Sequence, residues 1–210
     1  MSSIKLIPAS GGGSVSLVPP NSTSGSDVTI TLPSTSRTLG TVVEQFYYPC
    51  IGETVTTGAG DITLGNVTTA QFGTSTYTDL TGSTIAYTPP SGTKTVIYKF
   101  QFMHSRAHDT YHVGHFKFFI DSDEVTKAYI THGAEDVSDL VTLEWPIRIG
   151  GTADTTSGRV SSWTSNKTLK IQFREYGSSN ETKCHETEHS DGTGDNTMVI
   201  PRIGITALTT

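Results

Sequence analysis

The chain has 210 residues and a formal net charge of -6, and only 34% of its residues are hydrophobic and 16% charged. Ser and Thr together number 59, a composition that favours strands and turns and argues against a helical bundle or a doubly wound α/β enzyme. The negative charge gives no reason to expect nucleic acid as a partner, and the absence of a long apolar run predicts no membrane insertion.

The first 43 residues predict a short β-rich arm. They contain three runs of alternating polar and apolar residues, at 4–7, 14–18 and 27–32, separated by glycine and proline breaks. Three short strands with one thin apolar face cannot enclose a core of their own. We therefore expect the arm to attach to another surface and to join copies of the chain. The residues expected to dock are Val15, Leu17, Val28 and Ile30.

Residues 44–210 predict the main domain, because aromatic and β-branched residues become frequent from about residue 41 onward. The predicted strands cover residues 41–48, 62–72, 76–79, 83–87, 95–103, 111–121, 124–131, 139–147, 159–163, 168–176 and 197–208. Many short strands separated by turn sequences are typical of an all-β fold. We predict an antiparallel, jelly-roll-like β-sandwich.

Two of these strands have a clear period of two. Residues 169–173 alternate Leu, Ile and Phe with Lys and Gln, and residues 96–102 place Val, Tyr, Phe and Phe at every second position. Successive side chains of a strand point to opposite faces, so both segments should turn one apolar face to the core.

Adjacent aromatic residues in the middle of the chain predict self-association. Phe118 and Phe119 follow each other in a predicted strand, so their side chains point to opposite faces of the sheet. Both faces must then be covered, one by the partner sheet and the other by a neighbouring subunit. We therefore predict a homo-oligomer.

Two polar, glycine-rich segments, residues 148–158 and 177–196, are candidate recognition loops at the edge of the sandwich. They support an alternative function as a soluble, lectin-like carbohydrate-binding domain. In that case a glycan, such as one on a host cell surface, would be held against Trp163 or Tyr176, with Asn180 in the second loop.

Histidines and one cysteine form a weak pattern for a metal site. His112 and His115 share a predicted strand, and Cys184, His185 and His189 share a predicted loop. A transition metal needs three or four converging ligands, so the two regions would have to meet in space. The helix-borne His-Glu-x-x-His pattern is absent. Half-buried polar side chains explain these residues more simply, and we expect no cofactor.

The sequence offers no positive case for an enzyme. It has no Gly-x-Ser-x-Gly elbow, no phosphate-binding Gly-Lys-Ser/Thr loop and no dinucleotide fingerprint after a strand. Its two cysteines, Cys50 and Cys184, are too few for a disulfide framework and are expected to be buried, reduced thiols. We predict a non-enzymatic protein.

Two stretches of the chain resemble phage proteins. Residues 1–39, with Ile-Lys-Leu-Ile-Pro, Gly-Gly-Gly-Ser-Val-Ser-Leu-Val-Pro-Pro and Asp-Val-Thr-Ile-Thr-Leu-Pro-Ser, resemble the N-terminal segment of virion appendage proteins of tailed bacteriophages. Residues 74–102, TSTYTDLTGSTIAYTPPSGTKTVIYKFQF, are similar to the C1q-like jelly-roll module in the tail-fibre proteins of such phages.

The resemblance implies a structural virion protein. It would be a homotrimer whose arm docks on other virion proteins and whose knob faces outward, where it could bind a host receptor. The resemblance brings no catalytic residue with it. Because the chain has no collagen-like or coiled-coil shaft, a capsid decoration protein that stabilises the head is an open alternative. In either case the protein would be made in the host cytoplasm and reside in the virion.

Overall fold

The computed structural model describes residues 4–6, 15–17, 42–106, 112–134, 138–177, 182–187 and 196–209. The chain divides into two compact units, Met1–Leu39 and Gly40–Thr210. Val42 and Val43, which the sequence placed at the end of the arm, are the first residues of a strand in the second unit. No helix in the described ranges is long and apolar enough to cross a membrane.

The first unit contains a two-stranded antiparallel sheet. Its strands β1 (Ile4–Leu6) and β2 (Val15–Leu17) pair over three residues. Two of the three predicted runs of the arm therefore form strands. The third run, which includes Val28 and Ile30, lies outside the described residues. An isolated two-stranded sheet of this size has no enclosed core and is at best marginally stable in water.

The second unit is built from short strands with two 3-10 turns, Thr126–Ala128 and Thr155–Ser157. Its strands are β3 (Val42–Pro49), β4 (Thr54–Thr57), β5 (Gly60–Thr63), β6 (Gln71–Phe72), β7 (Thr78–Asp79), β8 (Ile85–Tyr87), β9 (Thr95–Arg106), β10 (His112–Ile120), β11 (Asp123–Glu124), β12 (Ile130–Ala134), β13 (Ser138–Arg148), β14 (Lys167–Glu175), β15 (Thr182–Cys184), β16 (Glu186–Thr187), β17 (Thr197–Met198) and β18 (Arg202–Leu208).

The second unit contains two six-stranded sheets and two small two-stranded sheets, β4-β5 and β16-β17. Sheet I has the order β3-β18-β9-β15-β6, and β13 pairs with the other side of β9. Sheet II has the order β11-β10-β14-β7, with β12 also paired to β10 and β8 also paired to β14. The strand pairs in both sheets are antiparallel. This architecture confirms the predicted all-β, antiparallel, jelly-roll-like sandwich.

The core lies between the inner faces of the two sheets. The Tyr98 ring of β9 stacks on the Phe118 ring of β10 with centroids 4.9 Å apart, and the Phe102 and Phe116 rings are 5.1 Å apart. The alternation in the sequence predicted these faces correctly. On β14 the buried residues are Leu169, Ile171 and Phe173. The residues between them point to the outer face of sheet II.

Two predicted strands differ in the structure. The strand predicted at 124–131 is interrupted by the turn Thr126–Ala128, which buries Ala128. The strand predicted at 159–163 is wrong, because the chain turns inward there to bury Trp163. The indole Nε1 of Trp163 donates a hydrogen bond of 2.9 Å to the carbonyl oxygen of Tyr87.

Strand β13 is an edge of sheet I. Each of its residues lies opposite a residue of β9, and no other strand in the described ranges pairs with it. Pro146 lies in this strand opposite Ile97. Proline has no N–H to donate to a neighbouring strand, so it is compatible with an edge and not with the middle of a sheet.

Candidate functional site

The outer face of sheet II carries a cluster of aromatic and basic side chains, here called the tyrosine face. It consists of Tyr77, Tyr129 and Tyr176 together with His115 and Arg174. His115 of β10 lies directly opposite Arg174 of β14 in the sheet register. The next residue of β10 and the preceding residue of β14 are buried phenylalanines, so His115 and Arg174 point outward.

The aromatic rings of the tyrosine face contact one another. The His115 ring stacks on the Tyr129 ring with centroids 5.9 Å apart, and it is tilted against the Tyr176 ring at 5.8 Å. The hydroxyl groups of Tyr77 and Tyr129 are 3.4 Å apart. Tyr129 and Tyr176 remain 41% and 64% exposed. The cluster is therefore partly exposed to solvent on the outer face of sheet II.

His115 is the polar centre of this cluster. Its Nδ1 lies 2.7 Å from the Tyr129 hydroxyl and 3.1 Å from the Thr131 hydroxyl. Its Nε2 is covered by neighbouring atoms and has no hydrogen-bond partner in the described residues. Burial and the nearby Arg174 charge lower the pKa of His115, so the imidazole is neutral at pH 7. The ring thus contributes hydrogen bonds to the face and no charge.

Two cations flank the Tyr77 ring. The Lys117 ammonium is 4.5 Å from the ring centroid and the Arg174 guanidinium carbon is 5.3 Å from it. Lys117 forms an ion pair of 2.8 Å with Glu124. Arg174 donates to the carbonyl oxygen of Glu175 at 3.2 Å, but no carboxylate in the described ranges forms an ion pair with it. Arg174 is therefore the uncompensated positive charge of the tyrosine face.

The predicted glycan-binding residues are found in different environments. Trp163 is only 5% exposed, so the prediction that a sugar packs on its ring is wrong. Tyr176 is on the surface, as that prediction required. Asn180 lies outside the described residues.

The first predicted recognition loop is held together by Asp154. The Asp154 carboxylate accepts hydrogen bonds from the hydroxyls of Thr156 and Ser157, both at 2.7 Å, and these bonds lower the pKa of Asp154 to about 2. The loop borders a pocket of about 260 Å³ whose lining includes no aromatic residue. The Asp121 carboxylate in this pocket already pairs with Lys167 at 2.8 Å. This pocket therefore offers a sugar no ring to stack on.

The predicted metal ligands do not converge in the described part of the chain, where no group of three His, Cys, Asp or Glu side chains could hold a metal ion. His115 points to the outer face of sheet II. His185 is buried in the core against the Phe100 and Phe102 rings, and Cys184 is buried beside it in the chain. These three residues therefore cannot share one ion in this arrangement. For His112 only the backbone position in β10 is described, and His189 lies outside the described residues.

A different pair of histidines meets instead. Nδ1 of His104 lies 2.9 Å from Nδ1 of His132, and Nε2 of His104 contacts the Thr182 hydroxyl. His132 Nε2 is 3.7 Å from an Asp139 carboxylate oxygen. The sequence did not predict this pair, because His104 and His132 come from strands of different sheets.

No protein-family profile and no curated protein matches the chain. Among solved structures, the chain is similar to one in the structure of infectious bursal disease virus, Gx strain, with a TM-score of 0.34 and 10% sequence identity. The match covers 97% of this chain and 50% of that chain, so this chain spans half the length of that neighbour. A TM-score of this size does not establish a shared fold.

Proposed function

We propose that the chain is a structural protein of a virus particle that works by self-association. In this proposal the arm attaches the protein and joins its copies, and the sandwich faces outward. The observation that carries the proposal is the number of large apolar and aromatic side chains left exposed on the sandwich. Outside the tyrosine face, in the described ranges, these are Val42, Val43, Tyr47, Tyr48, Ile51, Phe72 and Leu140.

Strand β3 concentrates these side chains at one edge. Val42 and Val43 are 51% and 38% exposed, and Tyr47 and Tyr48 are 38% and 44% exposed. In the described part of the chain β3 pairs only with β18, so its other side is a free strand edge. A free edge with apolar side chains favours contact with another chain. We expect β3 to lie in a contact between copies.

In this proposal the arm attaches the protein to the particle and joins its copies. Two short strands alone form at best a marginally stable sheet, so we expect the arm to gain stability by packing on a neighbour. Adding strands to a neighbouring sheet would satisfy main-chain hydrogen bonds without a deep pocket. Several copies held together would then attach by avidity.

The resemblance of residues 1–39 and 74–102 to phage proteins favours a homotrimeric appendage of a tailed phage. A capsid decoration protein would use the same contacts at a different place on the particle. Labelling intact particles with an antibody against the sandwich distinguishes tail from head. The proposal includes no catalytic step.

The proposal is tested by the mass of the protein in solution, measured by light scattering after size-exclusion chromatography. We expect the full chain to have three times its monomer mass of 22.5 kDa. Deleting residues 1–40 should reduce the assembly and exclude the protein from particles. The substitution Val43→Glu should also weaken assembly, because it places a charge at the β3 edge.

The matched control for Val43→Glu is Thr126→Glu, which adds the same charge at an exposed turn of the other sheet. It should leave the mass unchanged. Circular dichroism of each variant checks that the sandwich is still folded. A full chain that stays monomeric at all concentrations would refute the proposal.

A further inference from the structure

We propose that the tyrosine face binds an acidic saccharide, with a sugar ring stacked on Tyr176 and the sugar carboxylate bound to the Arg174 guanidinium. This inference assigns a ligand class to the outward-facing sandwich of the proposed function, but binding can be measured on the protein alone.

Tyr176 provides the stacking surface. Its side chain is 64% exposed, the largest exposed fraction of the large hydrophobic residues in the described ranges. Its backbone N–H donates a 2.9 Å hydrogen bond to the carbonyl oxygen of Val113, so the residue is fixed to the end of the sheet. A fixed aromatic ring offers a large apolar surface at low cost in conformational entropy. The apolar C–H face of a pyranose is complementary to such a ring.

The positive charge of Arg174 favours an anionic ligand. Arg174 precedes Tyr176 by two residues and points to the same face of the sheet. A guanidinium presents a planar fork of N–H donors that matches the two oxygens of a carboxylate. Arg174 donates to the carbonyl oxygens of Glu175 and Tyr176, at 3.2 and 3.5 Å, but no described carboxylate forms an ion pair with it, so a ligand carboxylate would neutralise its charge.

The outer face of sheet I shows why the tyrosine face is the better candidate. There Tyr47 also lies beneath a cation, with the Lys99 ammonium 5.6 Å from its ring centroid. That cation is paired with Glu144 at 3.0 Å, and the Tyr47 hydroxyl donates to Gln101 at 3.2 Å. The cation beside Tyr47 is thus already neutralised by a carboxylate of the chain, which is not the case for Arg174 in the described residues.

Further polar groups of the tyrosine face can bind sugar hydroxyls. The hydroxyls of Tyr129 and Thr131 lie around Nδ1 of His115, and burial raises the pKa of the Tyr77 phenol so that it remains a donor. The chain as a whole carries a net charge of -6, so an anionic ligand is not drawn in by the overall field. Recognition therefore depends on Arg174 and the rings beside it.

Isothermal titration calorimetry of the full chain tests this inference. The probes are oligosaccharides of galacturonate, glucuronate and sialic acid, with a neutral galactose oligosaccharide of equal length as the charge control. We expect at least one acidic probe to bind and the neutral one to bind about tenfold more weakly or worse. Tyr176→Ala and Arg174→Gln should each lower the affinity for the acidic probe by about tenfold.

The matched control for Arg174→Gln is Lys99→Gln, which removes a cation from the outer face of the other sheet and should leave the affinity unchanged. Failure of all three acidic probes to bind, or equal affinity of Arg174→Gln and Lys99→Gln, would overturn the inference. So would a loss of oligomer mass in Tyr176→Ala, since the face would then be a contact between copies. A trimer that binds none of the probes would contradict this inference but not the proposed structural function. A monomer that binds the probes would contradict the proposed self-association but not this inference.

Discussion

Gly204 of β18 lies directly opposite Tyr47 of the neighbouring strand β3 in the sheet register. A Cβ atom at residue 204 would stand 2.7 Å from Cδ2 of Tyr47 and 2.5 Å from the carbonyl oxygen of Phe46. Only a residue without a side chain allows this approach. A larger residue at 204 would displace the Tyr47 side chain or the β3 backbone.

We predict that Gly204→Ala destabilises the sandwich by about 1 to 3 kcal/mol, because the added methyl group pushes β3 away from β18. Urea denaturation followed by tryptophan fluorescence measures the change. Gly177→Ala is the control, since a Cβ there meets no atom within 4 Å and should be close to neutral. Equal stability of the two variants would contradict the described packing.

Stability should fall as the pH drops from about 6.5 to about 4. Burial lowers the pKa of His185 from 6.5 to about 4, so in this window the unfolded chain binds a proton that the folded chain does not. The contribution of His185 to the free energy of unfolding is therefore fully present above pH 6.5. It is lost as the pH falls towards 4, a decrease on the order of 3 kcal/mol in all. Denaturation curves across this range measure the slope.

His185→Asn should flatten that slope, even though it lowers stability at pH 7. Asn is chosen because residue 185 has a φ of 72°, a conformation that Asn tolerates better than most residues. An unchanged slope in the variant would show that other groups cause the pH dependence.

Trp163 should affect stability and not ligand binding. Trp163→Phe removes the indole N–H that bonds to the Tyr87 carbonyl at 2.9 Å and leaves that oxygen without this donor. We expect a loss of about 1 kcal/mol in the free energy of unfolding. The affinity for the acidic probe should not change, because the ring lies in the core. A variant with normal stability and weaker sugar binding would contradict the buried position.

The two cysteines should be unreactive in the folded protein. Both are free and buried. Burial raises the pKa of Cys50 to about 12 and also raises the pKa of Cys184, so almost no thiolate exists at pH 8. A thiol reagent should react with both groups only after denaturation. Reaction of the native protein at the rate of the unfolded chain would refute this prediction.

The sequence predicted those parts of the fold that depend on local alternation. Residues 96–102 and 169–173 repeat with a period of two, so their inward faces could be read directly from the chain. The burial of Trp163 could not be predicted in this way, because it depends on the Tyr87 carbonyl, which is remote in sequence.

The tyrosine face was missed for the same reason. Tyr176 was predicted as an exposed ring, but its neighbours are brought to it by strand pairing. Register places His115 opposite Arg174 on one side and Thr131 on the other. Nothing in the local sequence of Tyr77 and Tyr129 shows which way their rings point. A site composed of four strands and their connections becomes visible only when the register is known.

Pro146 in β13 limits the addition of further strands to this edge of sheet I. An added strand on that edge would find no donor at Pro146, so a continuous hydrogen-bonded ribbon running from molecule to molecule is interrupted there. Pro146 therefore disfavours fibril formation through strand pairing at the β13 edge. In the proposed assembly, copies would therefore meet through side chains and through the opposite edge of the sheet.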